Sequence, residues 1–165
     1  MKKYEFTGET KEIRLLFRTA TLHRIRATVA FGIVEVGDLG GWIEKEENLS
    51  HEGKAWVWGN AKVCGDAEVC GDAEVWGNAE VFSASHVLVI GAIGSRNDFT
   101  TFYRDKDNEI TVKCGCFLGK IDRFLEKVTQ THGDSKYALV YRAAVEVAKL
   151  QIDLSGEAPK DADEE

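Results

Sequence analysis

The sequence predicts a mainly β chain: a stack of short parallel strands, then a β-hairpin, then two α-helices. Three observations predict it. Residues 55–81 repeat every six positions as Ala-x-Val-x-Gly-[Asp/Asn], with alanines at 55, 61, 67, 73 and 79. Downstream, "FTTFYRDKDNEITVKCGCF" reads as two strands about a polar Asp105-Lys106-Asp107-Asn108 turn. Beyond that, apolar residues move to the three- and four-residue spacing of helices.

The N-terminal part, 1–36, reads as strands. "TLHRIRATV" alternates apolar and polar residues, as suits a strand with one solvated face. Gly37, Gly40 and Gly41 then mark tight corners, with Trp42 expected to cap the open end of the stack, where core and backbone edges are otherwise exposed.

In each hexad, strand alternation turns Ala and Val to one side and the two x residues to the other. The Gly-Asp and Gly-Asn pairs turn the chain, because Gly accepts backbone angles other residues avoid and Asn and Asp tolerate the left-handed region. Val57, Val63, Val69, Val75 and Val81 hold the large inward position in five consecutive units. This stretch resembles the hexapeptide-repeat family. The resemblance implies a left-handed parallel β-helix over 37–94, three-sided, with about three coils of 18 residues. On that coil Trp58 and Trp76 share a face one strand spacing apart, roughly 4.8 Å. Cys64 then lies under Phe82, Cys70 under Leu88, and Asn60 and Asn78 share a corner; Val87, Val89 and Ile93 finish the second coil. Trp56, Trp58, Trp76 and Phe82 form an outward aromatic stripe, and an apolar patch of that size marks a contact surface. Hexapeptide-repeat proteins are commonly trimers, so the resemblance implies a homotrimer formed through these residues.

The hairpin is expected over 95–118 and a helical hairpin over 119–153. Ile121, Phe124, Leu125 and Val128 share one helical face, with Gly133 as the stop. A second helix from Ser135 to Ile152 aligns Tyr137, Val140, Tyr141, Ala144, Val145 and Ala148. No linker intervenes, so 1–153 reads as one integrated domain. Residues 154–165, rich in acid, read as a disordered tail.

With 28 acidic and 21 basic residues the formal charge is -7. That disfavours a phosphate-backbone binder, so nucleic acid is not an expected partner. "MKKYEFTGETK" has no apolar segment behind its lysines, and no run nears the roughly 20 apolar residues of a membrane span, so a cytoplasmic protein is expected, with no membrane partner. Cys64, Cys70, Cys114 and Cys116 have no C-x-x-C unit, match no common zinc spacing and read as free thiols; no metal is expected.

The runs "GDLGGWIEKEENLSHEGKAWVWGNA" and "IGSRNDFTTFYRDKDNEITVKCGCFLGKIDRFLEKVTQTHG" are similar to small hexapeptide-repeat proteins encoded by phages and prophages, often named as transferases or polymer-forming proteins. That implies a phage accessory protein in the host cytoplasm that binds a host-derived small molecule or protein. Counter-defence is the expected task, by sequestering a nucleotide-like signal or by blocking a host protein. Ser95, Arg96, Asn97, Tyr103, Arg104, Lys113 and His132 are the candidate ligand residues: guanidinium and ammonium donors for an anion, with an aromatic surface for stacking. No cofactor is expected on this reading. The runner-up, by fold analogy, is a hexapeptide acyltransferase using acyl-coenzyme A, with His86 as general base at a subunit interface. Glu68, 18 residues earlier, is the stacked carboxylate available to orient it.

Overall fold

The computed structural model describes residues 1–155 and the backbone strand Lys160–Asp161. The expected acidic tail falls largely outside the described residues. In chain order the strands are β1 (Tyr4–Arg14), β2 (Thr19–Ala27), β3 (Leu39–Ile43), β4 (Trp56–Val57), β5 (Lys62–Val63), β6 (Glu74–Val75), β7 (Glu80–Val81), β8 (Val87–Ile93), β9 (Asp98–Arg104), β10 (Ile110–Cys114) and β11 (Phe117–Lys120). Helices α1 (Ile121–His132) and α2 (Lys136–Gln151) follow, and β12 is Lys160–Asp161.

Hexads 18 residues apart pair in parallel, Lys62 and Val63 with Glu80 and Val81, and Trp56 and Val57 with Glu74 and Val75. Each pair is only two residues long. The five inward valines and five alanines are all buried in one core with Ile43 and Leu49. The hexad glycines 53, 59, 65, 71 and 77 all have φ between +57° and +68°, the left-handed region that the corner requires.

These pairs do not extend into the expected left-handed parallel β-helix, and the fold class is corrected accordingly. The described strands form three sheets: a mixed sheet ordered β12-β1-β2-β3-β5-β7, an antiparallel sheet β11-β10-β9-β8, and the isolated pair β4-β6. None closes or continues as a solenoid. The physical reason is length. A hexad offers two paired residues, whereas β1 and β2 run for 11 and 9 residues and pair antiparallel with each other, β3 turning the mixed sheet from antiparallel to parallel. The first layer is also out of period, since Trp42 pairs with Lys62 and Leu49 with Val69, both 20 apart.

The repeat ends earlier than expected. Val87 and Val89 do pack against the hexad core, but from the antiparallel sheet, where β8 pairs with β9. Leu88 faces the other way into the helical core, so it is not stacked on Cys70. The hairpin β9–β10 turns on Asp105–Asn108 as its sequence suggests, and β11 adds a fourth strand. Buried Asp105 organises that turn. Its carboxylate accepts from the Asp107 and Glu109 backbone N–H groups, from Thr111 Oγ1 at 2.6 Å and from Lys120 Nζ at 2.7 Å. Burial alone would lower the Lys120 pKa; the hydrogen bonds to Asp105 and Asp107 raise it above the ordinary lysine range.

Both helices pack on the far face of this sheet. Phe124 and Val128 of α1 and Ala138, Tyr141, Ala144, Val145 and Ala148 of α2 are buried against Phe102 and Val112. Tyr137, expected on that face, is exposed, and Ala138 takes its place. The sheet is thus a middle layer, with hexads on one side and helices on the other.

The hexad glycines separate two effects. Gly77 has open space around an added Cβ, whereas at Gly65 a Cβ would lie 2.5 Å from the Phe82 carbonyl oxygen. Gly77→Ala is expected to cost about 1–2 kcal/mol, the left-handed penalty alone, and Gly65→Ala clearly more. Urea unfolding of the two variants checks the order.

Candidate ligand cavity and the placement of the predicted residues

A cavity of about 170 Å³ opens between the end of the antiparallel sheet and the helices. Ser95 and Arg96 reach it from the β8–β9 turn, Cys114 and Cys116 from the β10–β11 turn, Lys127 and His132 from α1, and Tyr141 from α2. Phe117 and Phe124 supply apolar wall. Two glycines make the close approaches. A Cβ on Gly94 would overlap the Tyr141 hydroxyl, and one on Gly115 would lie 2.7 Å from an Arg96 guanidinium nitrogen. Both have positive φ, so the turns and the clearances need the same residue type.

The lining is polar at one end. Arg96 and Lys127 bring two cations and Asp98 one carboxylate. His132 is the last residue of α1 and lies over Tyr141, ring centroids 5.7 Å apart. Burial raises the Tyr141 pKa, with the neighbouring Cys114 thiol and its hydrogen bond adding to the effect, so the phenol stays protonated. Thr100 Oγ1 donates to Cys114 Sγ at 3.4 Å. Cys114 is thus held from two sides while Cys116 is exposed.

Ser95, Arg96 and His132 therefore meet in one cavity; the other candidate ligand residues are placed elsewhere. Asn97 occupies the β8–β9 turn with φ +54°. Tyr103 is buried on the hexad face, donating from its hydroxyl to the Trp76 carbonyl at 3.0 Å. Arg104 is also buried. Its Nε donates to the Glu80 carbonyl at 2.9 Å, and its guanidinium lies 5.0 Å from the Phe82 ring centre. Lys113 donates to the Gly115 carbonyl, approaches Glu74 at 3.5 Å and lies 5.5 Å from the Trp76 ring centre. Lys127, Thr131, Tyr141 and Phe117 line the cavity without having been singled out. The signal for the first two was present, since Lys127 and Thr131 flank buried Phe124 and Val128 at helical spacing.

The aromatic stripe divides. Trp58 and Trp76 stack at 4.1 Å and 9°, sharing a face as the 18-residue spacing requires. Cys64 lies beside Phe82 as expected, its N–H bonded to the Val81 carbonyl. Trp56, by contrast, is wholly buried within the chain, under Tyr4 and Phe31, and offers no outer surface. Lys3 completes that cover by donating to the Ala55 carbonyl at 2.6 Å; its burial lowers its pKa to about 8. Trp42 is buried too, but in a separate small core with Ile13, Ala20, Leu22 and Cys64, so it does not cap the hexad core, which Tyr4, Ile25 and Val34 join instead.

The histidines have local tasks. His86 Nδ1 accepts the Phe82 backbone N–H at 3.0 Å. Burial, with Arg104 nearby, lowers its pKa to about 4. A neutral ring that accepts at Nδ1 carries its proton on Nε2, so no basic nitrogen is left for a substrate. His51 Nδ1 likewise accepts from the Lys3 N–H, and its ring stacks on Tyr4 at 4.1 Å. His23 stacks on Phe6 at 4.5 Å.

No family model matches the chain, and no curated protein matches it. Among the described residues no group of three or more His, Cys, Asp or Glu could hold a metal ion. Nor is any described helix long and apolar enough to cross a membrane.

His86 yields a pH prediction. Its folded pKa lies below the ordinary value of 6.5, so the unfolded chain binds the proton more readily. The contribution is complete above pH 6.5 and is lost as pH falls toward 4, on the order of 2 kcal/mol. In urea unfolding at pH 7 and pH 5, His86→Asn, whose amide oxygen can accept the same N–H, should lose less stability on acidification than the parent chain.

Proposed function

We propose that the protein is a non-catalytic phage accessory protein that binds a small, anionic, host-derived molecule in the cavity between the antiparallel sheet and the helices. A nucleotide-like signal suits it, and sequestration is the resulting task. One observation carries the reading: Arg96, Lys127 and His132 converge on a cavity that also presents Phe117, Phe124 and Tyr141. Guanidinium and ammonium groups take a phosphate, and aromatic faces take a base. A volume of about 170 Å³ is below the usual range for a whole drug-sized ligand, so one part of the molecule enters and the rest extends past the mouth. The phage setting is drawn from the resemblance of the runs around Trp42 and around Arg96 to phage-encoded proteins. The acyltransferase reading draws no such support, because His86 is committed to the Phe82 backbone.

Self-association belongs to this proposal, with three subunits expected. It is supported by exposed Leu139, Val147 and Leu150 along α2, an apolar line opposite the buried face of the same helix. Multi-angle light scattering of the purified chain should give a trimer mass; a monomer overturns this part. For the ligand, a panel of nucleoside mono- and cyclic phosphates should raise the melting temperature, and Arg96→Ala should weaken binding about tenfold or more, as loss of a charge-assisted pair does. No shift with any nucleotide, or an equal shift in Arg96→Ala, overturns the reading.

A further inference from the structure

A second cavity, of about 240 Å³, lies on the opposite side of the β9–β10 end and has a different chemistry. Its walls come from the loop after β2, the tryptophan face of the hexads and the start of β9. Phe31, Trp58 and Phe99 provide aromatic surface, and Asp72, Glu74 and Asp98 provide carboxylates; among the described residues Lys54 is the cation of the lining. The Lys54 stem packs against Gly32.

The aromatic groups are preorganised. Trp58 is braced from behind by Trp76 at 4.1 Å and 9°. Because Trp58 covers one face of Trp76, Lys113, over the Trp76 ring at 5.5 Å, occupies the other. Phe31, at the rim, already has the Lys3 ammonium 4.7 Å from its ring centre. The protein thus places its own cations on these rings twice, and Lys113 also approaches Glu74 at 3.5 Å, while Asp72 and Asp98 share the cleft lining with Trp58. A ring quadrupole attracts a cation most when that cation is weakly hydrated, and aromatic walls with flanking carboxylates are the usual recognition of organic ammonium groups. A hard metal ion needs converging oxygens instead, and the carboxylates here form no such group.

We propose that this cleft binds a small organic ammonium ion, its alkyl groups against Trp58, Phe31 and Phe99 and its charge balanced by Asp72, with Glu74 shared between the ion and Lys113. The inference is independent of the anion cavity, whose cations line the other side of the sheet end. Tetramethylammonium chloride is the probe, with sodium chloride at equal ionic strength as control and intrinsic tryptophan fluorescence as readout. A saturable change is expected with tetramethylammonium alone. The double variant Asp72→Asn/Glu74→Gln keeps the shape of the wall and should weaken binding about tenfold or more, with its circular dichroism spectrum unchanged. Trp58→Leu should abolish both binding and the signal; calorimetric titration of the same variant separates the two. A response no greater than that to sodium chloride, or equal affinity in the double carboxylate variant, overturns the proposal.

Discussion

The alternation of side chains along β9 is the constraint on which the rest of the molecule depends. Thr101 and Tyr103 point into the hexad layer, while Phe102 points into the helical layer. A period of two leaves no freedom here, because a slip of one residue would put Phe102 among the hexads and the Tyr103 phenol among apolar helix side chains. Both cavities then follow from where this strand ends. Asp98 and Gly115, at the ends of the paired strands, line the helix-side cavity and the hexad-side cleft alike.

The same strand satisfies backbone groups that the short hexad pairs leave open. The last hexads have no further layer above them, so some of their N–H and carbonyl groups lack a ladder partner. Thr101 Oγ1 accepts from Glu74 N–H, Tyr103 donates to the Trp76 carbonyl, and Arg104 donates to the Glu80 carbonyl. Each such group, buried and unpaired, would cost about 1–3 kcal/mol. Polar residues that look like ligand donors in the sequence are therefore spent within the fold. Burial lowers the Arg104 pKa, partly offset by Glu80. That cost is tolerable only because the guanidinium keeps its hydrogen bond and its place over Phe82.

What the sequence made legible was local. The hexad corners, the 18-residue stacking of Trp58 on Trp76, the Asp105 turn and both helices follow from glycine chemistry, turn chemistry and apolar spacing over a few residues. The fold class did not, because it depends on which distant strands pair. "VLVIGAI" continues the apolar character of the repeat without a Gly-Asp or Gly-Asn corner, and nothing in it announces an antiparallel partner at 98–103. The extended repeat was thus inferred from five units that supply few paired residues. Within the helix-side cavity, Ser95, Arg96 and His132 were legible because turns and helix ends gather polar groups. Tyr141 was assigned only to a packing face, since a helical pattern does not reveal that Gly94 leaves room for its hydroxyl. Tyr103 and Arg104 were misleading for the opposite reason, as composition gives no sign of which face of a strand is covered.

The 18-residue register of the hexads bears on how this chain can vary in length. Both ends of the stack are closed by antiparallel structure, β1–β2–β3 on one side and β9 with the Ala79–Asp105 bridge on the other. A single hexad gained or lost between the paired strands would break the 18-residue pairing of Lys62 and Val63 with Glu80 and Val81. Three hexads together, 18 residues, would match that spacing. Changes of length compatible with this pairing therefore come in steps of three repeats, a quantisation set by what the hexads pair with.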